Sequence, residues 1–285
     1  MRVQQLESTD GFLLFDLDGA ERAVGIARLA PKVLRDSAEM LARSVTYSFA
    51  SFELRIGGAS AGINAKPDER DAALAKFVDE VSPLTADGAL TLHAGTGLDD
   101  ADLAPLGGEP PDPTLLVHGA LAAATAVHGS LDGVTLAVVG IGPIAESAKV
   151  AASDRGASVV DDVGVDASAD VLLIAGKAGM LDHEAAASVK ATTIAPLTPL
   201  PVTAKAYAAL ARTGIVYVPD FIALAAPLLA EFDPTSVSEP VDRIRDAMQS
   251  LASEGANAWR AAVDRAEAFL ATWHEPLPFG RPLAS

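Results

Sequence analysis

Residues 134–145, VTLAVVGIGPIA, constrain the fold of this chain more than any other stretch. The apolar run 134–140 has no alternation, as expected of a strand buried on both faces in a parallel sheet. It runs straight into a glycine turn and then a segment, 144–155, whose apolar spacing predicts a helix. The same alternation continues downstream. Strands are expected over 158–160, 171–175, 192–194 and 215–218, and helices over 183–189 and 204–212. Strands and helices in strict succession make an α/β class protein with a doubly wound parallel sheet.

The turn itself reads G-x-G-x-x-A, on Gly140, Gly142 and Ala145. A strand before it, a helix after it and an acid pair, Asp161 and Asp162, about twenty residues on give the context of a dinucleotide site, in which an acid holds a ribose hydroxyl and favours NAD over NADP. The plainer reading of the glycines is a tight strand-to-helix turn. Pro143 stands in that first turn and removes one N–H that the helix could offer to a pyrophosphate. Only eight residues separate Asp162 from the strand at 171. A right-handed crossover needs about ten to twelve, so this Rossmann-like sheet is expected to lack one strand–helix unit.

Upstream, 11–17 (GFLLFDL) and 23–28 (AVGIAR) read as a strand pair joined at Asp18-Gly19. A helix is expected over 31–46, a glycine-interrupted strand over 52–63, a helix over 68–81 and a buried strand over 89–93. Asp99, Asp100 and Asp102 suit a helix start better than a calcium site. The Pro/Gly cluster 105–113 marks a domain crossing, followed by an alanine-rich helix over 114–128. The expected domains are 1–113, 114–235, and a helical segment 236–285 with a break at Gly255 that returns to the first domain.

Composition excludes several classes. There is no cysteine, hence no disulfide or thiolate chemistry, and the five histidines show no metal-ligand spacing, so no metal is expected. A net charge of −17 without a Lys/Arg cluster argues against nucleic acid and anionic membrane as partners. No apolar run reaches the roughly 18 residues of a membrane span and the start has no signal-peptide pattern, so a cytoplasmic protein is expected.

The segment 43–67, RSVTYSFASFELRIGGASAGINAKP, resembles the substrate-binding strand of the glutamate/leucine/phenylalanine/valine dehydrogenase family, nearest the leucine, phenylalanine and valine branch. There a lysine follows a Met-Thr-Tyr element and a second follows Gly-Gly-(Gly/Ala) twelve residues on. Here Ser48 follows Val45-Thr46-Tyr47, and Ser60 follows Gly57-Gly58-Ala59. The family's aspartate before a Val-Gly-Thr turn is replaced by His93, ahead of Ala94-Gly95-Thr96. VYVPDF at 216–221 and AAVDRAEAFLA at 261–271 extend the likeness to the whole chain. The resemblance implies that one lysine would hold the substrate carboxylate, the other would activate water and the aspartate would move a proton. Serine performs neither lysine role unaided, and histidine lacks the aspartate's charge. Two cofactor-side elements differ as well: a proline-bearing loop, 195–201, replaces an Asn-rich one, and Leu224-Ala225-Ala226-Pro227 stands for Asn-Ala-Gly-Gly. The expected function is a catalytically degenerate homologue, a pseudoenzyme that binds a small molecule, regulates or assembles with a partner. It would form a homo-oligomer through its first domain, with FLLF at 12–15 as the inviting edge, or pair with a paralogue. The alternative is an active NAD-dependent oxidoreductase with a rebuilt site.

Overall fold

The computed structural model describes residues 1–108, 110–160, 164–234, 239–275 and 280–284. Its contacts divide the chain into two units, Met1–Pro111 with Glu267–Pro282, and Asp112–Ala266 with Leu283–Ser285.

The first unit holds strands β1 (Arg2–Gln5), β2 (Gly11–Phe15), β3 (Ala23–Ala30), β4 (Gly57–Asn64) and β5 (Leu90–Ala94), with helices α1 (Arg35–Ser51), α2 (Arg70–Ala86) and the short α3 (Asp100–Leu103). The strand order is β1-β2-β4-β3-β5. β2 runs antiparallel to β1 and β4, while β3 runs parallel to β4 and β5. This corrects three expectations. β2 and β3 do not pair, because β4 lies between them. FLLF is an interior strand, fully buried, and the edge belongs to β1, which the sequence did not announce. The third correction concerns 43–67, where α1 extends to Ser51 and the strand begins only at Gly57, so Ser48 rides on a helix.

Period-two alternation assigns the two faces of β4. Ala59, Ala61 and Ile63 join Phe77 and Val81 of α2 in one apolar cluster, while Phe12, Leu14, Val33, Ala38 and Ala42 form another on the α1 side. Burying a side chain such as Phe77 contributes about 1.5–3 kcal/mol. On the α1 face β4 offers Gly58, Ser60 and Gly62. The smallness is required, because a Cβ on Gly58 would stand 1.8 Å from the Ala42 carbonyl oxygen. The aspartates at α3 form a capping box, with Asp99 and Asp102 each accepting from the other's amide.

The second unit begins with α4 (Pro113–His128) and contains five parallel strands: β6 (Thr135–Gly140), β7 (Ser158–Val160), β8 (Val171–Ala175), β9 (Thr193–Pro196) and β10 (Val216–Tyr217), in the order β10-β9-β8-β6-β7. The complete six-stranded dinucleotide fold has the order 3-2-1-4-5-6. Removing its outermost strand leaves the order seen here. No helix lies between β7 and β8 among the described residues, as the short spacing predicted. Helices α5 (Pro143–Ser153), α6 (His183–Ala186), α7 (Ala204–Arg212), α8 (Asp220–Ala223), α9 (Ala226–Phe232), α10 (Pro240–Gln249) and α11 (Ala258–Leu270) complete the chain. Between α10 and α11 the backbone leaves helical values at Gly255, φ 54°. No described helix is long and apolar enough to cross a membrane.

Candidate ligand site

Strand register builds the site in the first unit. Leu14, Ser60, Ile26 and His93 lie opposite one another across β2, β4, β3 and β5, so all four side chains share the face covered by α1. Ser60 and His93 are therefore brought to one row, two strand spacings or roughly 10 Å apart. Both are buried. One step toward the carboxyl ends of the parallel strands, Arg28 stands opposite Gly62 on the same face. Its guanidinium Nη1 donates to Ser37 Oγ at 3.1 Å, in the first turn of α1.

The twelve-residue spacing between the two resemblance motifs has a physical basis. Thr46 on α1 accepts the Gly58 amide at 2.9 Å and donates to Asp16 Oδ2 at 2.7 Å. Asp16 in turn receives the Arg43 guanidinium at 2.7 Å, with both side chains at 1% exposure or less. Burial pushes the Asp16 carboxyl up, and the Arg43 charge and Thr46 hydroxyl pull it back. Arg43 also donates to the Gly280 carbonyl at 2.5 Å, and Tyr47 to Glu267 at 2.9 Å, so the chain's last segment is fastened to the same helix. Burial, then the Glu267 hydrogen bond, raises the Tyr47 phenol.

Ser48 is not brought to the row. At 3.6 residues per turn it lies about 200° around α1 from Thr46, whose hydroxyl bonds to Gly58 of β4. Its hydroxyl donates back to the Ser44 carbonyl at 3.2 Å, and that of Ser60 donates to the Ile26 carbonyl at 3.2 Å. Neither serine is bonded to a base among the described residues. Lys66, six residues after Ser60, is exposed beyond β4.

In the second unit the fingerprint residues take up the expected turn. Gly140 has φ 125°, and a Cβ there would meet the Ala175 carbonyl oxygen at 2.0 Å, so β8 comes too close to this end of β6 for any side chain. Gly142 has φ 101° and open space where a Cβ would be, and no side chain caps the helix behind it. Ala145 is fully buried. Such a turn fits a pyrophosphate in shape, but Pro143 at the helix start contributes no N–H. Asp161 and Asp162 lie outside the described residues. The loops after β8 and β9 are tied together, with Gly176 N–H donating to Thr198 Oγ1 at 3.0 Å and Gly179 N–H to the Leu200 carbonyl at 2.8 Å. Asp220 accepts from the Leu200 amide at 2.8 Å and holds that residue at φ 56°. Lys177, after β8, is exposed. No group of three or more metal-ligating side chains occurs among the described residues.

Sequence reasoning passed over Arg28, Asp16 and Arg43. The available signal was a charge set in an apolar strand or helix, as in GIARLA. Such a charge is tolerated inside only when it is paired or used.

No protein-family model matches the sequence, and comparison with curated proteins found no relative. Solved structures do match. A hetero-hexameric glutamate dehydrogenase from Thermus thermophilus, in its Leu-bound form, superposes with a TM-score of 0.72 at 19% identity, covering 92% of this chain and 84% of its own. L-tryptophan dehydrogenase from Nostoc punctiforme gives 0.70 at 20% identity, covering 94% and 96%. A further glutamate dehydrogenase gives 0.77 at 15% identity, covering 95% and 86%. With its truncated parallel sheet and its five-stranded first unit, this chain has the fold of the amino-acid dehydrogenases.

Proposed function

We propose that this protein is a catalytically degenerate amino-acid-dehydrogenase homologue, nearest the leucine, phenylalanine and valine branch, that binds a small molecule without oxidising it. The observation that carries the reading is where the two serine hydroxyls go. Ser48 and Ser60 both donate to main-chain carbonyls, so neither is activated as a base or nucleophile, and neither offers a cation to a carboxylate. His93 occupies the third position with a side chain that cannot supply a permanent negative charge.

NAD is a candidate ligand of the second unit through Gly140, Gly142 and Ala145, with Asp161 or Asp162 as the ribose acid. When bound, it would supply a hydride acceptor. The chain's own residues would hold its pyrophosphate at the start of α5, weakened by Pro143. The alternative, an active NAD-dependent oxidoreductase with another substrate, draws on that same turn. The exposed edge strand β1 and the hexameric state of the Thermus thermophilus neighbour support assembly, with copies of itself or a paralogue.

A combined Ser48→Lys, Ser60→Lys and His93→Asp variant, assayed with NAD and leucine, tests the reading. It is expected to remain inactive, because the cofactor turn stays impaired. Ready turnover would show that turn to be competent and favour the oxidoreductase alternative. Calorimetric titration of the unaltered protein with NAD reads the cofactor site alone.

A further inference from the structure

Among the described residues, no acid answers the positive charge of Arg28. Its one hydrogen bond runs from Nη1 to the neutral Ser37 hydroxyl, and that hydroxyl is itself spent on the Leu34 carbonyl at 2.8 Å. Nε and Nη2 are buried without a partner among the described residues. Burial lowers the pKa of the guanidinium and no carboxylate opposes that shift. The omission is notable in a chain where 38 acids outnumber 21 lysines and arginines. Arg43 of α1, by contrast, has Asp16 at 2.7 Å. Buried cations are ordinarily paired, so an unpaired one marks a place where an anion arrives from outside.

The geometry of this unpartnered edge specifies the anion. Nε–H and Nη2–H are the two parallel donors along one edge of the planar guanidinium, the fork that donates to both oxygens of a carboxylate at once. Arg28 lies on β3 one step from the Ser60–Ile26–His93 row, at the carboxyl ends of three parallel strands, where ligands of open α/β sheets bind. Gly95 leaves room beside it, since a Cβ there would come within 3.1 Å of the Arg28 stem. The side chain is only partly buried overall. A rotation of its outer bonds, at the cost of the single 3.1 Å bond to Ser37, presents the fork.

We infer that Arg28 is the carboxylate anchor of this protein's ligand, taking in arginine form the role for which Ser48 and Ser60 have no charge. The inference rests on the small-molecule-binding reading above and names its ligand class: a small organic acid with a free carboxylate, such as an amino acid or its 2-oxo acid.

The test is calorimetric titration with L-leucine, with its 2-oxo acid and with inorganic phosphate, on the full chain and on Arg28→Lys and Arg28→Met. One or both carboxylates should bind the unaltered protein. Arg28→Lys should weaken that binding by about 10- to 100-fold by losing the fork while keeping the charge, and Arg28→Met should abolish it. Thermal melting separates a ligand role from a structural one. Removing an unpaired buried charge should leave the melting temperature unchanged or raised in Arg28→Met, whereas a structural arginine would lower it. Carboxylate binding that survives Arg28→Met, binding of phosphate alone, absence of binding by both acids, or a destabilised Arg28→Met would each overturn the inference. Amino-acid turnover by the unaltered protein would instead overturn the degenerate reading and leave the role of Arg28 to be judged by the variants.

Discussion

Thr46→Val tests the joint on which the first unit depends. Valine keeps the shape and the branched Cβ of threonine, so the perturbation is the hydroxyl alone. That oxygen accepts the Gly58 amide at 2.9 Å and donates to Asp16 at 2.7 Å, in an environment where Thr46 itself is 0% exposed. Losing it leaves a buried amide without a partner, at about 1–3 kcal/mol, and takes from a buried carboxylate a charge-assisted hydrogen bond of about 1.5–3 kcal/mol. The expected loss is about 3–5 kcal/mol, a large part of the roughly 5–15 kcal/mol that stabilises a domain. Thr46→Ser keeps the oxygen and loses one methyl, so it should cost only about 1 kcal/mol. Urea unfolding followed by circular dichroism gives both values, and native-state hydrogen exchange at the Gly58 amide should accelerate in the valine variant alone. If valine were tolerated as well as or better than serine, the joint would be apolar packing and the reasoning would fail.

Replacing Gly140 by alanine should destabilise the second unit more than the same change at Gly142, by about 1–3 kcal/mol, because the first adds a clash with the Ala175 carbonyl to the backbone cost that both share; equal melting temperatures would refute the close approach of β6 and β8. Burial lowers the His128 pKa below 6.5 despite the attraction of Asp170, so the unfolded chain binds the proton more readily and the stability due to this group is intact above pH 6.5 and lost as pH falls toward the folded value. His128→Gln, which can still bond to Thr193, should flatten that part of the stability–pH curve. Light scattering is expected to give a particle of at least twice 29.1 kDa at micromolar concentration, and a particle of 29.1 kDa would exclude assembly.

What the sequence disclosed depended on how local the signal was. The parallel sheet of the second unit was legible because each strand is a short apolar run bounded by turn residues, and its truncation because eight residues cannot house a helix and a strand. The first unit was harder. A hairpin reading of 11–28 is natural from pattern alone, yet β4, nearly thirty residues further on, inserts between β2 and β3, a long-range pairing that spacing does not encode. The helix expected to end at Thr46 runs on to Ser51, because the apolar spacing that marks it stops at Val45 whereas burial and the Thr46–Gly58 bond hold the following turn in place. His93 and Ser60 emerged from motif spacing and share a row. Ser48 was grouped with them on motif spacing alone, beyond the helix expected to end at 46, and the continued helix turns it aside. Arg28 stayed hidden because a lone arginine in an apolar strand has no period of its own, and only the register with Gly62 puts it beside that row.

The measurement that bears most directly on the central claim is oxidative deamination by the unaltered protein. Purified full chain, supplied with NAD and in turn with leucine, valine, phenylalanine and glutamate, should give NADH at a rate indistinguishable from that of a blank, because no base or cation stands at Ser48 or Ser60. Steady NADH formation with any of the four, abolished by Ser60→Ala, would show that the serine row performs the chemistry and would contradict the account.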